Sequence, residues 1–194
     1  MPNPLAQEVL HFWFGAPDVP DYGSSRSVWF RKDAAFDRQI AERFSSLIES
    51  ALAGELAHWH REAAPALAQI LVLDQFTRNV FRDQPRAFAG DARALAAARA
   101  MVAAGQHHGL MPVQRAFVYL PFEHAEDVVA QDESVRLFTE LAAAAPELAG
   151  MLDYAHRHRN VIAAFGRFPH RNALLGRTSS PAELAFLQEP GSRF

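Results

Sequence analysis

Apolar residues recur along this chain at three- and four-residue steps almost from end to end, and no stretch alternates with period two between hairpin turns, so the expectation is an all-helical protein. Asn3 can cap a first helix that has Pro4 at its first position and carries Leu5, Val9, Leu10, Phe12 and Trp13 until Gly15. After a loop rich in Pro and Gly, Asp33 is placed to cap a long helix with the stripe Phe36, Ile40, Phe44, Leu47, Ile48 and Leu52, ended by Gly54. A short helix around Leu56 and Trp59 is expected before Pro65. From Pro65 to about Phe81 the pattern is apolar nearly all round, which marks a central helix.

Asp91 reads as the cap of an Ala-rich helix closed by Gly105, followed by a loop in which His107 and His108 face solvent. Pro112 opens a helix through Phe117, Tyr119 and Leu120, with Pro121 expected to kink it and the helical rows extrapolated on to Asp127 and Val128. Further helices are expected from about Asp132 to Ala145 and from Pro146 to Gly166, and Ser180 with Glu183 forms a capping box for a last short one. The sum is a single domain of about eight or nine helices.

Polar residues interrupt this pattern in three places. On the central helix Asp74 and Arg78 share one face, and Gln75 and Asn79 share the next. They form either an ion pair with two loop-binding amides or the floor of a cleft. In the segment from Tyr119 to Asp127, His124 falls in an apolar row with Leu120 and Val128, while Arg115, Tyr119, Glu123 and Asp127 line up beside it. An inward histidine with Glu123 or Asp127 as carboxylate neighbour suits general acid and base work, and a structural histidine is the alternative.

The third place is Tyr154 to Arg177, which holds Arg157, Arg159, Arg167, Arg171 and Arg177 with three histidines and no acid. Tyr154, Val161, Ile162, Phe165 and Phe168 recur there at helical spacing and call for burial, so the basic residues need acidic partners. His158 shares that inward row. Arg167, His170, Arg171 and Asn172 sit at the turn forced by Gly166 and Phe168-Pro169, where donors can converge on a carboxylate or phosphate or can tie helices together by bonding Glu123, Glu126, Asp74 and helix-end carbonyls.

Composition narrows the chemistry. The chain has 194 residues, 49% hydrophobic content and net charge -3, enough for one core and without the basic excess that nucleic-acid binding needs. There is no Cys, so disulfides, thiol nucleophiles and thiolate metal sites are excluded. No run reaches the ~18 apolar residues of a membrane span and no secretory signal is visible, so the expected setting is cytoplasmic. No phosphate loop, dinucleotide fingerprint, nucleophile elbow or metal motif occurs, and neither cofactor nor metal is expected. Spacings such as Glu123 with Asp127 can meet at an ion, but the nearby arginines oppose a cation.

Four segments together carry a resemblance: Val9 to Gly15 (VLHFWFG), Leu73 to Asn79 (LDQFTRN), Tyr119 to His124 (YLPFEH) and Phe165 to Asn172 (FGRFPHRN). Over about Gln7 to Leu187 the chain resembles the bacterial family known as domain of unknown function 924. That resemblance implies an all-helical fold similar to tetratricopeptide-like arrays, with no established reaction and no accepted catalytic residues. Its polar motifs map onto Asp74, Gln75, Arg78, Asn79, Glu123, His124, His158, Arg167, His170, Arg171 and Asn172, and Thr77 stands where the family pattern implies Pro.

Two functional expectations follow. In the first, Arg78, Arg167 and Arg171 clamp a small anion, Asn79 and Asn172 orient it, Asp74, Gln75 and His170 complete the binding set, and His124 or His158 with Glu123 handles protons. In the second, by analogy of fold, a noncatalytic module binds a peptide or partner protein.

Overall fold

The computed structural model describes residues 3–192 and is all-helical, with no strand among them. Asn3 caps α1 (Pro4–Phe14), its side chain accepting from the Ala6 amide at 3.2 Å. Asp33 does the same for α2 (Ala34–Ala53), accepting from Ala35 and Phe36 at 3.1 Å each. The expected central helix starts two residues early and is not uniform. It comprises α3 (Ala63–Leu71), a π-helical turn (Val72–Phe76) and α4 (Thr77–Val80). Wide turns of this kind concentrate at functional sites, and this one carries Asp74 and Gln75.

At Thr77 the hydroxyl donates to the Leu73 carbonyl at 2.8 Å. A proline at this position would supply neither that donor nor an N–H, so Thr77 closes the wide turn from within.

Asp91 is not a cap. Gly90 takes that position and Asp91 is the first residue of α5 (Asp91–Ala103), which frees its carboxylate for other partners. Gly90 packs so closely on the π turn that a Cβ there would lie 2.1 Å from the Leu73 carbonyl oxygen. Only glycine lets α5 start at this point.

The helix α6 (Pro112–Glu123) passes through Pro121 and ends two residues later. The rows extrapolated to Asp127 and Val128 therefore do not exist as one helix face. Asp127 instead caps α7 (Val128–Ala144), accepting from Val129 at 2.8 Å, and Val128 is 47% exposed. From α7, Gln131 reaches back and donates to the carbonyls of Glu123 (2.6 Å) and Ala125 (2.9 Å), closing the end of α6 without solvent.

The chain continues into α8 (Ala149–Phe165), ended by Gly166 at φ 69°, a left-handed conformation open to glycine at little cost. A single short turn (Pro169–Arg171) precedes α9 (Pro181–Phe186), where the expected box is present: Ser180 accepts from the Glu183 amide and Glu183 from the Ser180 amide.

In three dimensions α6, α7 and α8 pack in succession, while α3 contacts α1, α5 and α6. The main core is densely aromatic, with Trp13 and Trp29 set edge-on to Phe117 at 5.5 and 4.9 Å between centroids. Val161, Ile162 and Phe168 form a smaller cluster with Phe165 and Phe186, whereas Tyr154, expected inside, is 53% exposed. His107 also departs from expectation, being buried edge-on against Tyr119. Among the described residues no helix is long and apolar enough to cross a membrane.

Candidate functional site

Residues far apart in sequence meet at one cleft of about 750 Å³ between the π turn and α4, the end of α6, the start of α8 and the turn after it. Gln75, Arg78, Asn79, Glu123, His124, His158, His170 and Arg171 line it.

Asp74 is the buried hub. It accepts from Gln75 Nε2 at 2.6 Å and from His124 Nδ1 at 2.7 Å, and Arg78 Nη1 lies 3.2 Å away. Burial opposes its charge, but Arg78 and the His124 contact outweigh that and hold the carboxyl well below the usual range. For His124, burial and the Arg78 cation lower the pKa more than Asp74 raises it. The consistent state is an ionised Asp74 beside a neutral imidazole, with the proton on Nδ1 and the lone pair on Nε2.

Glu123 and His158 form a second pair, His158 Nδ1 lying 3.2 Å from Glu123 Oε1 and donating to the Tyr154 carbonyl at 2.9 Å. Distance alone suggests an ion pair. Burial decides otherwise: it raises Glu123 to about 8, with the Asp74 charge adding to the effect, and it lowers His158 to about 3, helped by His124. Both are neutral near pH 7, and Glu123 Oε2 is buried without a hydrogen-bond partner among the described residues. His170 is held at about 4, by burial first and then by Arg171.

The arginines differ sharply in how they are occupied. Arg78 makes a two-point contact with Asp91 (2.8 and 3.1 Å) and also donates to the Asp74 carbonyl, so it is a structural cation with little left to offer a ligand. Arg171 is sandwiched between the rings of Phe88 (4.7 Å) and Phe168 (4.5 Å) and, among the described residues, donates to Asp91 Oδ2 at 3.2 Å. Its Nε is buried without an acceptor among the described residues. Burial and the neighbouring Arg78 pull its pKa down to about 10, which leaves it charged.

Two expected ligand residues lie elsewhere. Arg167 forms a fork on Glu183 at 2.6 and 2.8 Å, and buried Asn172 bonds Ser179 and Arg177. Both fasten the segment after α8, and neither lines the cleft. Asn79 does line it, but its amide donates to Asp37 at 2.7 Å. Asp127 is not a neighbour of His124: it caps α7 and pairs with Arg99. The acidic partners required by the basic stretch are present for Arg157, Arg159, Arg167, Arg171 and Arg177 in Asp153, Asp132, Glu183, Asp91 and Glu126.

Sequence reasoning missed Asp91, which joins Arg78 to Arg171, because an Asp ahead of an Ala-rich run reads as a cap. Glu126 is one of the acids expected to tie this segment down, and it does so. That carboxylate accepts from the Phe168 amide at 2.8 Å and from both arms of Arg177, anchoring the turn that carries His170 and Arg171.

An all-helical fold holding a buried His-Asp pair and a partly unoccupied arginine in one cleft is thus the class of protein defined here. The chain belongs to the family described as "Bacterial protein of unknown function (DUF924)", which it matches over residues 9–191. It is similar to a solved protein of unknown function, ATU0120 from Agrobacterium tumefaciens, at 38% identity and a TM-score of 0.83, over 96% of this chain and 98% of that one. No curated protein matches.

Proposed function

We propose that the cleft binds a small anionic molecule through Arg171 and transfers a proton on it, with His124 as base and Glu123 as the neutral acid. The observation that carries this reading is Arg171: a charged guanidinium lining the cleft whose hydrogen-bond acceptor among the described residues, Asp91, is shared with Arg78. An arginine that only shares a carboxylate is suited to a ligand's carboxylate or phosphate, which guanidinium donors bind with good geometry. Around it the cleft offers a base whose tautomer is held by Asp74 and a carboxylic acid that stays protonated near neutrality. The geometry resembles sites in which burial sets neighbouring titratable groups to opposite roles.

The alternative, a peptide-binding module, calls for a long groove without ionisable groups at its floor. The buried carboxyl and imidazoles here favour small-molecule chemistry.

A thermal-stability screen against small carboxylates and phosphates tests the proposal. A ligand at 100 times its dissociation constant adds about 2.7 kcal/mol. Arg171→Gln is expected to abolish that gain while leaving the far-ultraviolet circular dichroism of a helical protein. A full panel with no stabilisation of the wild type refutes the proposal.

A further inference from the structure

We infer that residues 167–187 are a clasp, which opens as one unit about Gly166 and takes a wall of the cleft with it. From this segment His170, Arg171 and Leu174 line the cleft.

The segment is braced within itself. Arg167 forks on Glu183 and also donates to the Thr178 carbonyl at 2.8 Å. Asn172 donates to the Ser179 hydroxyl at 3.0 Å, and Arg177 donates to the Asn172 side chain at 2.9 Å and to the Phe168 carbonyl at 3.2 Å. Together with the Ser180 cap, these bonds tie the turn after α8 to α9, and all of them survive if the segment moves as a whole.

Its attachments to the rest of the protein are few and of another kind. Two carboxylates from outside the segment hold it: Glu126 accepts from the Phe168 amide and from Arg177, and Asp91 accepts from Arg171. The Arg177 and Glu126 side chains are 23% and 25% exposed, so water and salt compete for that latch. The apolar attachment is the small cluster in which Phe168 and Phe186 meet Val161, Ile162 and Phe165 of α8, separate from the main core. Among the described residues the principal packings between elements do not include α9. A unit held by two ionic latches and a small cluster comes away at lower cost than the core unfolds.

The hinge is Gly166. Its left-handed backbone ends α8, and a Cβ built there would meet no atom within 4 Å, so the chain can turn at this point without a clash. Opening also uncovers the second buried pair, because Phe168 packs edge-on against His158 at 5.5 Å between centroids.

The chain has no cysteine, so one introduced thiol reports on one place. Val161→Cys puts it in the cluster beneath the clasp and Val118→Cys puts it in the main core. With dithionitrobenzoate under native conditions, the first is expected to react at least about 100-fold faster than the second. Its rate should also depend on urea less than about half as steeply, because opening exposes less surface than unfolding. Glu126→Gln and Asp91→Asn, each added to Val161→Cys, should accelerate it about tenfold or more by removing one latch, while Val118→Cys in the same backgrounds stays about 100-fold slower. Equal rates and equal urea slopes at the two thiols overturn the inference, since the segment then comes away only when the whole protein unfolds. Failure of either carboxylate variant to accelerate Val161→Cys overturns it as well, since the segment and the cleft wall would then not move as one.

Discussion

Replacing Glu123 by Gln keeps the shape of the side chain and removes its titration. The wild-type carboxyl has its pKa raised to about 8 by burial and by Asp74, against an ordinary value of 4.5. Between those two values the unfolded chain releases the proton while the folded chain keeps it, so stability falls as pH rises, by about 1.4 kcal/mol for each pH unit. The histidines with shifted pKa values, His107, His124, His158 and His170, are all shifted down, and their contribution runs the other way: stability is lost as pH falls from about 7.5, where histidines of the unfolded chain begin to take up protons.

Those histidines are present in both proteins, so the difference between wild type and Glu123→Gln isolates Glu123. From pH 6.5 to 8 the wild type should lose about 1.6 kcal/mol relative to Glu123→Gln. Equilibrium urea unfolding followed by tryptophan fluorescence at four pH values across the window measures both. Parallel slopes for the two proteins would mean that Glu123 is ionised at neutral pH and that the proton-donor role assigned to it is wrong.

Other consequences can be checked by the same unfolding assay. Gly90→Ala forces a Cβ against the Leu73 carbonyl and should destabilise the protein by about 1–3 kcal/mol, through displacement of α5 from the π turn. Asp91→Asn leaves Arg78 and Arg171 without their shared carboxylate and should cost about 3 kcal/mol, with an added rise in salt sensitivity if chloride takes its place. Gln131→Leu strips the buried donor from the end of α6, with an expected loss of about 1–3 kcal/mol and looser amide-exchange protection at Glu123 and His124.

Much of the architecture is legible from local chemistry. Asn3, Asp33 and the Ser180-Glu183 box each act within three or four residues, so a single sequence suffices to read them. Asp74 and Arg78 are also local, an i,i+4 pair on one face. The π turn around Asp74 was not legible, since the Gly90 backbone that packs on it comes from beyond the helix, at the start of α5. Reading Asp127 as a continuation of α6 failed because helix ends are set by caps, and Asp127 served one: that of the next helix.

The site's pairings are longer still, 50 residues from Asp74 to His124 and 80 from Asp91 to Arg171. Apart from Arg157, which pairs with Asp153 one turn back, the arginines of the basic stretch had several possible acids, and only the packing chooses among them. This is why the sequence did not show that Arg167 bonds Glu183 and Asn172 bonds Ser179 and Arg177.

Nitrogen NMR of histidine- and arginine-labelled protein, titrated with the most stabilising carboxylate or phosphate of the thermal screen, addresses most directly whether the distant segments form one anion site. The imidazole signals of His124, His158 and His170 and the Arg171 Nε–H should move together along one saturating curve, and Arg171→Gln should abolish the movement. Resonances that respond with unrelated midpoints, or that shift unchanged in Arg171→Gln, would contradict a single site centred on that arginine.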